Sequence, residues 1–133
     1  RGTQVIPQRV DNGVSWQIDL GPCDGRIFMI TPKSLLNLAL DVPATATCGN
    51  IAKITATITT TDASPIAAIL PLQVSIQDAN GASAEGSGYY AAEKGVLEVS
   101  LDLAPNEDPG VWQIKVRDLA SGMESVKWMK VGR

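Results

Sequence analysis

The chain has 133 residues, enough for one domain to bury roughly two-thirds of its unfolded surface but too few for two full domains. Its 11 basic and 14 acidic residues give a formal net charge of −3 without charge blocks, so we expect no nucleic-acid partner and no polybasic membrane anchor. It contains no histidine, which removes the commonest general base and transition-metal ligand, and no apolar run approaches the roughly 20 residues of a membrane-spanning helix.

The first third of the chain predicts a β-hairpin. The alternating run V-S-W-Q-I-D-L predicts a half-buried strand whose inward face carries Val14, Trp16, Ile18 and Leu20. A turn rich in Gly and Pro follows, and Arg26–Thr31 is then a second, more continuously apolar strand that ends before Pro32. The first dozen residues are predicted to be a loop or a loose edge strand.

Two strands are predicted next. The short run Leu36–Leu40 alternates and is closed by Pro43, which favours a strand, although S-L-L-N-L-A-L also contains good helix formers. The polar stretch A-T-A-T-C-G-N then predicts a turn. Ile51–Thr61 is the clearest β-branched strand, with isoleucines on one face and threonines on the other. It is predicted to end at Asp62, Ser64 and Pro65.

Three further strands are predicted in the second half. Leu72–Gln77 alternates and leads into an Asn-Gly turn, and a short strand begins at Tyr89. After Gly95 the run V-L-E-V-S-L-D-L places its leucines and valines on one face. Each run has period two, so each predicts a strand with one buried and one wet face.

A β-turn-β unit over Leu101–Leu119 organises the carboxyl end. Two prolines, an asparagine and a glycine predict the turn, and Trp112 begins the next alternating strand with its ring toward the core. The last strand, roughly Glu124 to Val131, carries Trp128 on one face and Met129 on the other. About eight or nine short strands without crossover helices predict an all-β, antiparallel two-sheet sandwich preceded by the N-terminal β-hairpin.

Two segments follow the order of strands in a known class of module. Ser64–Gly81 contains a proline and an alternating strand ending in D-A-N-G, Tyr90 follows, and Leu103–Gly122 contains G-V-W-Q-I-K-V. In these segments the chain resembles the bacterial immunoglobulin-like and macroglobulin-type sandwich modules of large exported proteins. W-Q-I-D-L-G-P-C-D-G-R-I-F-M-I in the first third resembles the closing strands of the β-domain that ends many glycosidase-like proteins.

The resemblance implies an immunoglobulin-like β-sandwich over residues 34–133 and an N-terminal hairpin segment over residues 1–33, the latter as the end of a preceding β-domain. It implies a non-catalytic spacer or docking module of a larger exported bacterial protein, located in the secreted fraction, the periplasm or at the cell surface. The alternative is a carbohydrate-binding accessory module of a glycoside hydrolase-like protein. Its partners are then neighbouring domains of the same polypeptide, another protein or a polysaccharide.

Aromatic residues and cysteines are the candidate site residues. Trp16 and Trp112 alternate with aliphatic neighbours, which predicts core packing, whereas Tyr89, Tyr90 and Trp128 are the candidates for facing a ligand. Cys23 and Cys48 lie beside turn residues, so a disulfide between them is predicted. Two unrelated thiols that act as small apolar residues are the alternative.

No catalytic, metal or cofactor residue is assigned, and the chain is not expected to be an enzyme. Carboxylates suited by type to glycoside hydrolysis are present, but no spacing pairs them across a cleft, so they are interpreted as surface charges. They are Asp19, Asp24, Asp102, Glu107 and Asp108. A calcium site over residues 106–108 with Asp78 and Asn80 is disfavoured, because calcium takes six to eight oxygen ligands.

Overall fold

The structure is a computed structural model that describes residues 5–64 and 66–133. No helix in these ranges has the length and apolar character needed to cross a bilayer. Ten strands follow one another along the chain: β1 (Gln8–Val10), β2 (Gly13–Ser15), β3 (Leu35–Asp41), β4 (Thr45–Thr47), β5 (Ile51–Thr60), β6 (Leu70–Gln77), β7 (Gly88–Ala92), β8 (Val96–Asp102), β9 (Gly110–Asp118) and β10 (Glu124–Gly132).

Strands β3 to β10 form two sheets. One has three strands in the order β3-β5-β8, and the other has five in the order β4-β10-β9-β6-β7. Neighbouring strands are antiparallel except β4 and β10, which run parallel with Thr45 opposite Lys130. Strands β1 and β2 pair with each other as a separate hairpin. The chain is therefore an all-β, immunoglobulin-like two-sheet sandwich preceded by an N-terminal β-hairpin, which confirms the predicted fold class.

The two sheets bury their apolar faces against each other. Strand β5 contributes Ile54, Ala56 and Ile58 from one sheet, and β9 contributes Trp112 and Ile114 from the other, all nearly inaccessible. Each of the buried isoleucines contributes about 1.5–3 kcal/mol relative to exposure. An exposed ion pair contributes about 0–1 kcal/mol, so the interior rather than the surface charges determines the stability of the fold.

Strand β3 forms as predicted, but its apolar face is shorter than the sequence suggests. Leu38 and Leu40 are buried opposite β5, whereas Leu36 is 58% exposed. The pairing between β3 and β5 shifts register between Leu35 and Asn37. Such a bulge inserts an extra residue and turns the following side chains to the other face. The alternation of leucines in the sequence does not indicate this bulge.

Strand β4 was predicted to be a turn. Its three residues are held by the parallel pairing with β10, and the backbone N–H of Lys130 donates to the carbonyl of Ala44 (3.0 Å). Only Ala46 of this strand packs toward the core. A strand with one inward side chain is too short to show an alternating pattern in the sequence. It is recognised only from its pairing with the neighbouring strand.

Of the two predicted N-terminal strands, the one at residues 14–20 forms only at residues 14 and 15, within β2, and the one at residues 26–31 does not form. The hairpin lies earlier, in β1 and β2, and residues 16–34 contain no strand. Trp16 lies outside the sandwich core, half-buried with its ring centroid 5.3 Å from that of Phe28, which corrects its predicted core position. Ile18 and Leu20 are exposed because no sheet covers them. Residues 1–4 and Pro65, for which a loop and a strand end were predicted, lie outside the described residues, and the division between residues 33 and 34 stays a prediction.

A carboxylate ties the end of β5 to the N-terminal segment. Asp62 accepts hydrogen bonds from the hydroxyls of Thr60 (2.6 Å) and Ser64 (2.6 Å), and it forms an ion pair with Lys33. The ion pair with Lys33, together with the hydrogen bonds from Ser64 and Thr60, holds the pKa of Asp62 well below its ordinary value. A depressed pKa means that the folded state favours the ionised carboxylate.

We expect Asp62→Asn to lower the free energy of unfolding at neutral pH. We also expect the free energy of unfolding of the variant to change less with pH in the acid range. The contribution of the ionised carboxylate is complete above the ordinary pKa of about 4 and is lost as pH falls through the depressed folded value. The difference in free energy of unfolding between wild type and variant should therefore be constant above about pH 5 and become smaller below about pH 4. Urea unfolding across pH measures it, with Asp102→Asn as the control for loss of one charge. A gap that persists unchanged at pH 3 would contradict this assignment.

Candidate functional site

The outward side of the five-stranded sheet presents aromatic and polar side chains on neighbouring strands. Alternate residues of β10, such as Met129 and Val131, are buried, so the residues between them point to solvent. We call this surface the five-stranded face. It comprises Glu124, Val126, Trp128 and Lys130 of β10, Val111, Gln113, Lys115 and Arg117 of β9, Gln73, Ser75 and Gln77 of β6, and Tyr89 of β7.

Trp128 is the largest side chain of the five-stranded face. It is 59% exposed and lies opposite Gln113, which in turn lies opposite Gln77. Along β10, the adjacent outward positions are Val126 and Lys130. An indole ring held on a sheet strand offers a rigid apolar plane with polar groups beside it, which suits an amphipathic ligand.

Tyr89 lies on the same face, far from Trp128. It is 75% exposed on the edge strand β7, in a row that continues through Gln73 and Arg117 to Glu124. Three strand spacings and four residues along a strand separate the two aromatic residues, a distance of about 20 Å. A single small ligand cannot contact both rings, whereas an extended chain can.

Tyr90, the third predicted ligand-facing residue, does not belong to the five-stranded face. It is partly buried against the core, and its hydroxyl donates to the carbonyl of Gly86 (2.8 Å). Because successive residues of a strand point to opposite sides, Tyr89 and Tyr90 cannot share a surface. The double tyrosine therefore contributes one exposed ring.

The two outward faces of the sandwich carry opposite charge. On the five-stranded face, Glu124 pairs with Lys115 (Nζ to Oε2, 3.0 Å) and Arg117 (Nε to Oε1, 3.5 Å), and Lys130 adds a further positive charge. The outward positions of the three-stranded sheet hold three carboxylates and one lysine, with Lys53 and Glu98 paired at 2.9 Å. Those positions are Asp41, Lys53, Glu98 and Asp102. Sequence reasoning missed this asymmetry because it depends on which strands share a sheet.

Cys23 and Cys48 are free thiols in the structure, so the predicted disulfide is not formed. Cys23 is exposed in the N-terminal segment. Cys48 is half-buried between β4 and β5, and its thiol lies 3.6 Å from the carbonyl oxygen of Glu107. The closeness of each cysteine to turn residues does not bring the two turns together.

The carboxylates considered for catalysis or calcium lie at turns and on the surface. The turns that contain Asn80 and Asp108 meet, because the amide of Asn80 donates to the carboxylate of Asp108 (2.9 Å). Asp78 accepts from the backbone N–H groups of Asn80 and Ala82, both at 2.8 Å. Asp24 likewise accepts from its neighbour Gly25. Within the described ranges, no group of three metal-ligating side chains is assembled.

An open depression of about 370 Å³ lies where β4 and β5 begin. Its lining includes Pro43, Thr47, Asn50 and Ile51, with Lys53 as its charged residue. A single lysine at the surface provides neither a pair of proton-transfer groups nor a nucleophile with a base. This depression has no catalytic constellation.

No family model and no curated protein matches the chain. Among solved structures, it is similar to a CARDB domain of a Pyrococcus furiosus protein in complex with di-metal ions, with a TM-score of 0.52 and 12% identity over 77% of this chain and 96% of that chain. It is also similar to a PKD domain of an M14-like peptidase from a Thermoplasmatales archaeon, with a TM-score of 0.43 and 15% identity over 76% of this chain and 99% of that chain.

A third similar structure is a β-glucosidase from Listeria innocua, with a TM-score of 0.48 and 18% identity over 77% of this chain. The matched region is 16% of the β-glucosidase chain. At these identities the similarities concern the fold, and the CARDB domain, with the highest TM-score of the three, supports the β-sandwich assignment. The chain thus has a β-sandwich fold of the immunoglobulin-like kind.

Proposed function

We propose that the chain is a non-catalytic structural and interaction module, a spacer or docking domain within a larger exported bacterial protein. The observation that carries this proposal is the composition of the interior. Among the described residues, Thr60 and Asp118 are the buried polar or charged residues, and the side chains of both make hydrogen bonds within turns. Asp118 accepts from the backbone N–H groups of Ala120 (3.1 Å) and Ser121 (2.9 Å).

The resemblance of its strand segments to modules of exported proteins supports the proposed location and partners of the module. Neighbouring domains of the same polypeptide are the first partners of a spacer, and the secreted fraction, the periplasm or the cell surface is its place. Fold by itself does not determine function, so these assignments rest on the segments Ser64–Gly81 and Leu103–Gly122 and not on the sandwich architecture.

The second candidate function is a carbohydrate-binding accessory module, favoured by Trp128 on the five-stranded face. Its ring is exposed on a strand of the sheet and not at a loop tip, and Gln113 beside it carries an amide that both donates and accepts hydrogen bonds. Sugars combine apolar ring faces with many hydroxyls, which matches an indole flanked by amides. A module of this kind holds a substrate for another domain and performs no chemistry itself.

One experiment tests both functions. The chain is incubated with a panel of polysaccharides while tryptophan fluorescence and the release of reducing ends are measured. We expect no reducing ends, and we expect a spectral shift with the polysaccharides that bind, lost in Trp128→Ala and retained in Trp16→Ala. Turnover that disappears in Glu107→Gln or Asp108→Asn would overturn the non-catalytic assignment. The absence of any shift across the panel would leave the spacer function and reject the carbohydrate one.

A further inference from the structure

We propose that the five-stranded face binds a polysaccharide that carries carboxylate groups, with Trp128 as the stacking platform. This inference rests on the carbohydrate-binding function and adds to it the class of ligand and the residues that select it. Three features of the face support it: the placement of Trp128 between cationic side chains, the row of amides beside it, and the charge of this face relative to the rest of the molecule.

Two lysines flank Trp128. Lys130 occupies the next outward position along β10, and Lys115 lies on β9 opposite Val126, the preceding outward position of β10. A sugar ring stacked on the indole would therefore extend its substituents toward the Lys130 ammonium on one side, whereas the Lys115 ammonium on the other side lies 3.0 Å from the carboxylate of Glu124. An ammonium group forms charge-assisted hydrogen bonds to a carboxylate, which are roughly twice as strong as neutral ones.

Amide side chains mark a path across the sheet. Gln113 and Gln77 continue the row that starts at Trp128, and Gln73 lies between Arg117 and Tyr89 in the row that ends at the edge strand. Each amide offers two donors and one acceptor oxygen, which suits hydroxyl groups. The path between the two exposed rings is polar throughout, as an extended carbohydrate requires.

The charge of the face favours an anionic ligand. Three cationic side chains and one carboxylate occupy the five-stranded face, although the whole chain has a formal net charge of −3. Glu124 partly neutralises Lys115 and Arg117, whereas Lys130 lies at the other end of β10, near Thr45. An anionic polymer is therefore attracted to this face and repelled by the acidic outward face of the opposite sheet.

The composition of the face also favours a polysaccharide over a protein partner. The centres of protein interfaces are apolar and depleted in charged residues. Here the centre is occupied by Gln113, Ser75 and Lys115, and the exposed aromatic residues lie toward opposite margins. A second copy of this chain, presenting its acidic outward face, is the competing occupant and is an outcome of the test.

The test uses the full chain and two matched pairs of polymers. Polygalacturonate is compared with its methyl ester, and carboxymethylcellulose with hydroxyethylcellulose, so that each pair shares a backbone and differs in its carboxylate charge. Affinity is measured by electrophoresis through gels that contain the polymer and by fluorescence titration. We expect at least one acidic polymer to bind about tenfold or more tightly than its neutral partner, with affinity falling as salt is added.

Matched variants locate the contact. Trp128→Ala should weaken binding at least about tenfold, as loss of a dominant aromatic contact does. Lys130→Gln should weaken binding of the acidic polymer roughly twofold to fivefold, and Glu124→Gln should strengthen it by a similar factor, because the variant releases two cations from their ion pairs. The controls Lys53→Gln and Glu98→Gln make the same charge changes on the opposite sheet and should leave affinity unchanged.

Each outcome decides the inference. Preferential binding of an acidic polymer, with effects confined to the variants of the five-stranded face, supports it. Equal affinity for both members of each pair, lost in Trp128→Ala, overturns the selection of carboxylates and leaves the carbohydrate function in place. The absence of binding to all four polymers rejects the inference together with that function. Equal effects of Lys130→Gln and Lys53→Gln, or self-association in sedimentation that Trp128→Ala abolishes, also overturn it.

Discussion

Replacing Trp112 with alanine is expected to lower the free energy of unfolding by about 3–5 kcal/mol, the range measured when large aromatic residues are removed from protein cores. Trp112 is 1% exposed at the start of β9, where its side chain fills the space between the sheets. The cavity left by alanine would lose both the transfer free energy and the packing contacts of the indole. Domains of this size are stable by about 5–15 kcal/mol, so the variant should lie close to its unfolding threshold.

Urea unfolding followed by far-ultraviolet circular dichroism measures this effect, because the method does not depend on the tryptophan being removed. Trp128→Ala is the matched control: the same residue type is 59% exposed on the outward side of the neighbouring strand β10, and its loss should change stability by at most about 1 kcal/mol. Trp112→Phe, which leaves a smaller cavity, keeps the comparison measurable if the alanine variant does not fold. Equal destabilisation by Trp112→Ala and Trp128→Ala would show that the interior is not organised around Trp112.

Replacing Gly95 with alanine is expected to destabilise the fold by about 3 kcal/mol, because a positive φ and overpacking act together. Gly95 has φ of 75° in the turn between β7 and β8, and its carbonyl accepts the N–H of Ile58 (2.8 Å). A Cβ atom there would lie 2.8 Å from the carbonyl oxygen of Ile58 and 2.8 Å from Cγ2 of Ile66. The turn cannot move away without breaking its hydrogen bond to the central strand of the smaller sheet.

Gly81→Ala separates the two causes. Gly81 has φ of 80°, but no atom lies within 4 Å of a Cβ built on it. This control should therefore lower the free energy of unfolding by only about 1 kcal/mol, the effect of the positive φ alone. Thermal and urea unfolding of both variants measure the difference. If Gly95→Ala lowers the free energy of unfolding no more than Gly81→Ala does, the inferred close packing of the turn against β5 is wrong.

The alternation of side chains predicted most of the sandwich. In β5, β6, β8 and β9 the period is sustained over several residues, and a sheet buried on one face requires that pattern, so the inward and outward sets follow directly. Alternation also predicted the two faces of strand β10. The prediction that Trp128 and Met129 lie on opposite faces is correct. Trp128 is exposed and Met129 is buried, although both residues are large and apolar.

The same reasoning was wrong where burial depends on a partner. Val14 and Leu20 alternate as a half-buried strand would, yet both are exposed because no sheet lies against them. Leu36 alternates with Leu38 and Leu40, yet a bulge turns it outward. Alternation specifies which side chains can be buried together and does not provide the surface that buries them.

The sequence by itself determined that this chain is an all-β sandwich with Trp112 inside, because period two and turn residues are local properties that each strand carries alone. Only the tertiary structure decided which strands share a sheet. That order brings Trp128, Lys115 and Gln77 from three strands onto one face, holds β4 beside β10, and separates the positive surface from the negative one. Strand neighbours far apart along the chain are selected by the packing of the whole interior, and no single segment contains that information.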